Sequence, residues 1–155
     1  VKRILIAGPL DIASQAFVRQ LSENTKLSLT VYTPSEVTLP AGITDFTGET
    51  LDEGDLSAAM LDQDLVVALA PTIHLVETVK TVVTAAQAVA VPQILVNRTD
   101  DMEDLPGEVR TARQLLLTAG MPADLVEGFG SLDMLMGVAP APVEADPLFD
   151  ARFVG

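Results

Sequence analysis

Short aliphatic runs alternate along the chain with longer stretches whose apolar residues recur at helical spacing. Lys2–Ala7 is a brief apolar run that stops at Gly8-Pro9, which predicts a strand and then a turn. Over residues 11–23 the apolar positions Ile12, Phe17, Val18 and Leu21 fall roughly on one face of a helix, with Asp11 as its cap or in its first turn. Leu27–Thr33 alternates apolar and polar residues and is rich in β-branched ones, a second strand. Pro34, Pro40 and Gly42 bracket a loop, and residues 43–47 form a brief third strand. Residues 51–61 read as a short helix, 64–70 as a buried strand halted by Pro71, and 73–91 as the longest helix. Valine and threonine lower helix propensity in that last stretch, but its alanines and its periodicity favour helix. Pro92 ends it. Residues 93–97 are a fifth strand, 108–119 a helix closed by Gly120, and 124–129 a short sixth strand.

Strands alternating with helices imply right-handed crossovers and a parallel sheet, here expected in the doubly wound order 3-2-1-4-5-6. Residues 1–130 form this α/β domain, and 131–155 are an irregular C-terminal extension with Met134, Met136 and prolines at 140, 142 and 147. Its Leu132-Asp133-Met134-Leu135-Met136 stretch is expected to cover the sheet edge of the same domain, or else to meet another subunit in a homodimer.

Composition narrows the picture. At 155 residues, the chain has the length of one domain. Hydrophobic residues are 48% and aromatic ones only 4%, so the core is aliphatic, as suits a parallel sheet covered on both faces. The net charge of −13, with nine scattered basic residues, supplies no stripe to track a phosphate backbone, which argues against nucleic acid as a partner. The same field works weakly against any anionic ligand. Without cysteine there are no disulfides, no thiolate metal sites and no thiol catalysis. No apolar run has the length of a membrane span, and the amino-terminal run is broken too soon for a secretory signal, so the expected location is cytoplasmic.

The most informative segment is Ile4-Leu5-Ile6-Ala7-Gly8-Pro9-Leu10-Asp11-Ile12-Ala13-Ser14, a strand passing through a turn into a helix. Such a turn brings backbone N–H groups and a helix dipole up to a pyrophosphate. It resembles the Gly-x-x-Gly-x-x-Gly loop of the atypical short-chain dehydrogenase/reductases, the NAD-dependent epimerase/dehydratase and NmrA-like NAD(P)H-binding branch. Gly8 falls on the first glycine, Asp11 on the second and Ser14 on the third. Gly48-Glu49-Thr50-Leu51-Asp52 resembles the family's Gly-Asp-Leu-x-Asp segment, whose acidic residue sits by the adenine. Asp64-Leu65-Val66-Val67-Ala68-Leu69-Ala70 resembles its fourth strand, whose end borders the cofactor. The likeness extends over roughly residues 1–130. It implies a three-layer Rossmann-like fold and NAD or NADP as cofactor. Gly8, Leu10, Asp11, Ile12, Thr33, Glu49, Ala70 and Pro71 are then the expected cofactor contacts.

The departures point the other way. Asp11 puts bulk and negative charge where backbone and pyrophosphate come closest, so the site is expected to be impaired, or to bind no cofactor. Ser14 is a milder change. After the second strand, Tyr32-Thr33-Pro34-Ser35-Glu36 contains no base for a 2′-phosphate, which tilts any preference toward NAD. The family's Tyr-x-x-x-Lys pair is absent, because Tyr32 is the sole tyrosine and no lysine stands four residues after it. Asn97 and Arg98 end the fifth strand, where they orient a carbonyl or anion or, on the plainer reading, Arg98 pairs with Asp100 or Asp101. His74 is either a general acid or cofactor contact at the mouth of the fourth strand, or an exposed first-turn residue. The acidic run Asp100-Asp101-Met102-Glu103-Asp104 suits a hard cation weakly and a solvated loop better, so no metal site is expected. Two functions follow: an NAD(P)-dependent oxidoreductase of flavin or quinone reductase type, or a non-catalytic regulator that has lost the cofactor. A third is a different nucleotide or small acyl ligand in the same crevice.

Overall fold

A computed structural model describes residues 2–47, 53–98 and 105–127. Six strands, β1 (Lys2–Ala7), β2 (Leu27–Thr33), β3 (Thr44–Thr47), β4 (Leu65–Ala70), β5 (Ile94–Arg98) and β6 (Ala123–Glu127), form one sheet in the order β3-β2-β1-β4-β5-β6. Every pairing is parallel; Ile6 of β1 lies between Val31 of β2 and Val67 of β4. The helices are α1 (Ile12–Ser22), α2 (Glu53–Met60), α3 (Leu75–Val89) and α4 (Pro106–Leu117), and a 3-10 turn, Thr72–His74, precedes α3.

Strand periodicity divides the core in two. Ile4 and Ile6 of β1, with Leu65, Val67 and Leu69 of β4, meet Phe17, Val18 and Leu21 of α1. The alternate residues Leu5, Ala7, Val66, Ala68 and Ala70 face Leu56 and Met60 of α2, Leu75, Val79 and Val82 of α3, and Ala112 and Leu116 of α4. Helices on both faces leave β4 buried at all six positions, which explains its unbroken apolar sequence. No helix joins β2 to β3. The connecting loop instead lays Val37, Leu39 and Ile43 on the α1 side of the core.

The expected elements form, with informative differences. Ile12 was placed on the buried face of the first helix but is 87% exposed. The buried positions are Ser14, Phe17, Val18 and Leu21, so the i, i+3, i+4, i+7 face begins at Ser14. Residues 73–91 begin as the 3-10 turn, and α3 ends at Ala90 in the left-handed conformation (φ 57°) without a glycine. The last helix begins two residues early, because Pro106 serves as a first-turn proline whose missing N–H costs nothing there. It closes at Thr118, with Gly120 (φ 82°) turning the chain beyond it. Residues 128 and 129, expected in the sixth strand, lie outside the described residues, as do 131–155. Among the described residues no helix is long and apolar enough to cross a membrane.

Candidate cofactor crevice

In an open parallel sheet, ligands bind outside the carboxyl ends of the strands where the strand order reverses. Here that place lies between β1 and β4. The chain leaves β1 at Gly8, whose φ of 129° is open to glycine and hardly to any other residue. Its N–H donates to the Tyr32 carbonyl at 2.9 Å, tying the turn to β2. On the other side, a Cβ at Gly8 would run into the backbone carbonyl oxygen of Leu69 in β4. The first glycine therefore serves close packing of the turn against β4. Leu10, 6% exposed, anchors the turn in the α1-side core.

Two of the turn's N–H groups are already satisfied internally. Asp11 is the N-cap of α1, its Oδ1 accepting from both the Ser14 N–H and the Ser14 hydroxyl at 2.8 Å. Ser14 is fully buried, so the carboxylate is held by its own helix. Across the crevice, the Ser35 hydroxyl accepts from the Leu10 N–H at 3.0 Å, and the Ser35 N–H donates to Thr33 Oγ1 at 3.1 Å. Ser35, just after β2, thus fastens the β1–α1 turn. A helix N-terminus attracts an anion through its free N–H groups and its dipole, and at α1 that anion is Asp11.

A cavity of about 220 Å³ lies beside this turn. Gly8 and Pro9 form one wall, Pro34 a second, and Leu69 with Pro71 the floor at the end of β4. Thr78, His74 and Glu77 close the side toward α3. The surface is mostly apolar, and among the described residues no lysine or arginine lines it. His74 Nδ1 stands 3.7 Å from Glu77 Oε1, with side chains 62% and 80% exposed, so this is a solvated rim pair.

The expected contacts separate in space. Gly8 and Pro71 line the cavity, and Leu10 and Asp11 shape the turn beside it. Ile12 projects into solvent, Thr33 is fully buried at the end of β2, and Ala70 belongs to the core on the α2 and α3 side. Glu49 and the rest of residues 48–52 lie outside the described residues, as does the acidic run 100–104. Arg98 pairs with Glu127 of β6 (Nη2 to Oε1, 3.5 Å), and Arg113 of α4 approaches the same carboxylate at 3.8 Å. Asn97 is wholly buried, and among the described residues neither its Oδ1 nor its Nδ2 has a hydrogen-bond partner. Among the described residues no group of three His, Asp or Glu side chains is placed to hold a metal. Sequence reasoning missed Ser35 as a clamp, and Pro34, Leu69, Glu77 and Thr78 as walls. The spacing His74, Glu77, Thr78 (i, i+3, i+4) was the available signal for the last two.

No protein-family model matches the chain, and no curated protein matches it. Solved structures do. A Rossmann-fold NAD(P)-binding family protein from Shigella flexneri superposes with a TM-score of 0.70 at 19% identity, over 81% of this chain and 66% of that one. A short-chain dehydrogenase/reductase from Veillonella parvula in complex with NADP gives 0.63 at 17%, over 81% and 68%. An NADPH-dependent quinone oxidoreductase from Escherichia coli, complexed with NADPH, gives 0.61 at 18%, over 81% and 48%. The chain thus spans from about half to about two thirds of these proteins' length. At low identity, its three-layer α/β architecture is that of the Rossmann-fold NAD(P)-binding proteins, the fold shared by short-chain dehydrogenases/reductases and related epimerases.

Proposed function

We propose that this chain is a dinucleotide-type binding domain whose phosphate subsite is filled by its own Asp11, so that it works as a binding or regulatory module with weakened affinity for NAD(P)(H). The observation that carries this reading is the Asp11 carboxylate at the head of α1, hydrogen-bonded to the Ser14 N–H and hydroxyl. A diphosphate at that turn meets a fixed negative charge, and the Leu10 N–H is already given to Ser35. Like charges about 4 Å apart repel by roughly 4 kcal/mol at an effective dielectric constant near 20. Solvent around the exposed Asp11 reduces that, and each 1.4 kcal/mol that survives is about tenfold in affinity. The residues of the first turn therefore do not fit a diphosphate. The absence of a Tyr-x-x-x-Lys pair removes the usual proton donor as well. An oxidoreductase of quinone reductase type requires a held dinucleotide, and so depends on the same measurement.

The test is a fluorescence titration with NADH and NADPH of the natural chain and of Asp11→Gly. Glycine at an N-cap costs only a few tenths of a kcal/mol relative to aspartate, so the variant folds. The expected result is millimolar or weaker binding by the natural chain, and roughly 10- to 100-fold tighter binding by Asp11→Gly. NADH is expected ahead of NADPH, because no base follows β2 and Glu36 opposes a 2′-phosphate. Micromolar NADH binding by the natural chain, or no gain in the variant, overturns the reading.

A further inference from the structure

The described helices cover the two faces of the sheet unequally. On the face that carries Ile4 and Ile6, α1 is the only described helix, and it packs closest to β2. The residues of α2, α3 and α4 belong to the opposite face. Neighbouring strands lie ~4.8 Å apart, so β5 and β6 are about 14 and 19 Å from β2. A helix about 10–12 Å across, centred near β2 or β1, does not extend to β6. Yet Leu95 and Asn97 of β5 are fully buried on that face, and Val126 of β6 is 3% exposed. Register sets Asn97 between Leu69 of β4 and Val126 of β6. Leu95 pairs with Asp124, one step nearer the amino ends, and Asp124 is exposed. The cover that no described helix supplies therefore lies over the carboxyl half of β5 and β6. That cover is dry. The Asn97 amide meets neither solvent nor a described hydrogen-bond partner, which hydrocarbon above it produces and a water-filled cleft does not.

The chain leaves β6 at Glu127, on this same carboxyl edge. The sequence that follows matches the surface. Phe129, Leu132, Met134, Leu135, Met136 and Val138 are apolar, and Asp133 is the only charged residue among 128–138. In a chain of net charge −13 so neutral a run has little to gain from water, and Pro140 closes it. Five residues from Glu127 to Leu132 span up to about 17 Å, enough to pass over β5 and reach β4. We propose that residues 129–138 fold back across this face and bury Leu95, Asn97 and Val126 beneath their apolar side chains. Methionine suits the task, because its flexible, unbranched side chain fills an irregular surface such as one interrupted by an amide. The occupant is this chain rather than a second copy. The segment starts beside the face it covers, and a short tether gives it an effective concentration in the millimolar range.

Methyl NMR on the full natural chain tests the contact directly. Nuclear Overhauser effects are expected from the Met134 or Met136 methyls to those of Leu95 and Val126, and none to Leu116 of α4 on the opposite face. A mixture of labelled and unlabelled chains, filtered for contacts between molecules, is expected to show none of them. Contacts seen only between molecules would assign the face to a second copy. That result, contacts to Leu116 instead, or no contact from either methionine would each overturn the proposal. A second measurement uses Leu132→Ser with Leu135→Ser, which alters the segment without adding charge. The pair is expected to lower the urea midpoint, whereas residues trailing in solvent would leave it unchanged, and an unchanged midpoint also overturns the proposal.

Discussion

Replacing Gly8 by alanine isolates the contact that sets the geometry of the crevice. Two costs add at this position. The backbone sits at φ 129°, and holding an L-residue in so sparsely populated a region costs roughly 1–3 kcal/mol. The new Cβ would also strike the Leu69 carbonyl oxygen, a backbone atom that moves only if the β1–β4 packing shifts. Overpacking of this kind costs about 1–3 kcal/mol. The sum is roughly 2–6 kcal/mol, a large part of the ~5–15 kcal/mol that holds a typical domain together. At about 2–4 °C per kcal/mol for a chain of this size, the melting temperature falls by roughly 10 °C. Gly42 and Gly120 supply the controls, since they have φ of 90° and 82° with no atom within 4 Å of an added Cβ. Alanine there meets backbone strain alone, about 1–2 kcal/mol. Urea unfolding followed by circular dichroism compares the three variants. If Gly8→Ala costs no more than Gly120→Ala, the turn is not packed against β4 and its assigned role is wrong.

Other residues make independent checks. Asn97 buries an amide without a partner, an arrangement that costs about 1–3 kcal/mol, so Asn97→Leu is expected to raise the urea midpoint; a clear drop would mean the amide is bonded in the folded chain. Phe17→Ala removes a buried ring from the α1 side and is expected to cost about 3–5 kcal/mol in the same assay. Ile12→Ser, at an 87% exposed site, is expected to stay within about 0.5 kcal/mol, and a loss comparable to that of Phe17→Ala would show that Ile12 is covered. Glu127→Gln weakens two partly exposed ion pairs and is expected to cost less than about 1 kcal/mol, measured as the difference between low and high salt.

The sheet was legible because its signals are local and redundant. β1 and β4 are aliphatic runs ended by Gly8-Pro9 and Pro71, and their period and punctuation agree. The order β3-β2-β1-β4-β5-β6 is the doubly wound arrangement expected of strands that alternate with helices. Ile12 was misplaced for a reason that also bears on the site. Periodicity weighs apolar residues and ignores a buried serine, yet Ser14 starts the buried face because its hydroxyl is bonded to Asp11. The Ser35 clamp spans 25 positions in sequence and joins two loops, so no local pattern announces it. The pairing of Arg98 with Glu127 has the same origin. Register places Arg98 beside Glu127 on the neighbouring strand, and register is a property of the assembled sheet.

These two contacts also bear on what the crevice does. A turn that receives a ligand leaves donors unmet in the free protein, so local rules of capping and satisfaction fail there by design. At the head of α1 several of those groups are met within the chain. Asp11 caps with good geometry, Ser14 donates twice to it, and Ser35 takes the Leu10 N–H. Each contact stabilises the turn in the free chain. On the proposed reading, the cost of dinucleotide binding is the charge repulsion of Asp11 together with the cap, which is worth roughly a few tenths of a kcal/mol relative to glycine. Asp11→Gly gives up that cap and the charge at once, whereas Asp11→Asn gives up the charge alone. Comparing NADH affinity in the two variants separates the terms: equal gains assign the barrier to charge, and a gain confined to glycine assigns it to the occupied helix terminus.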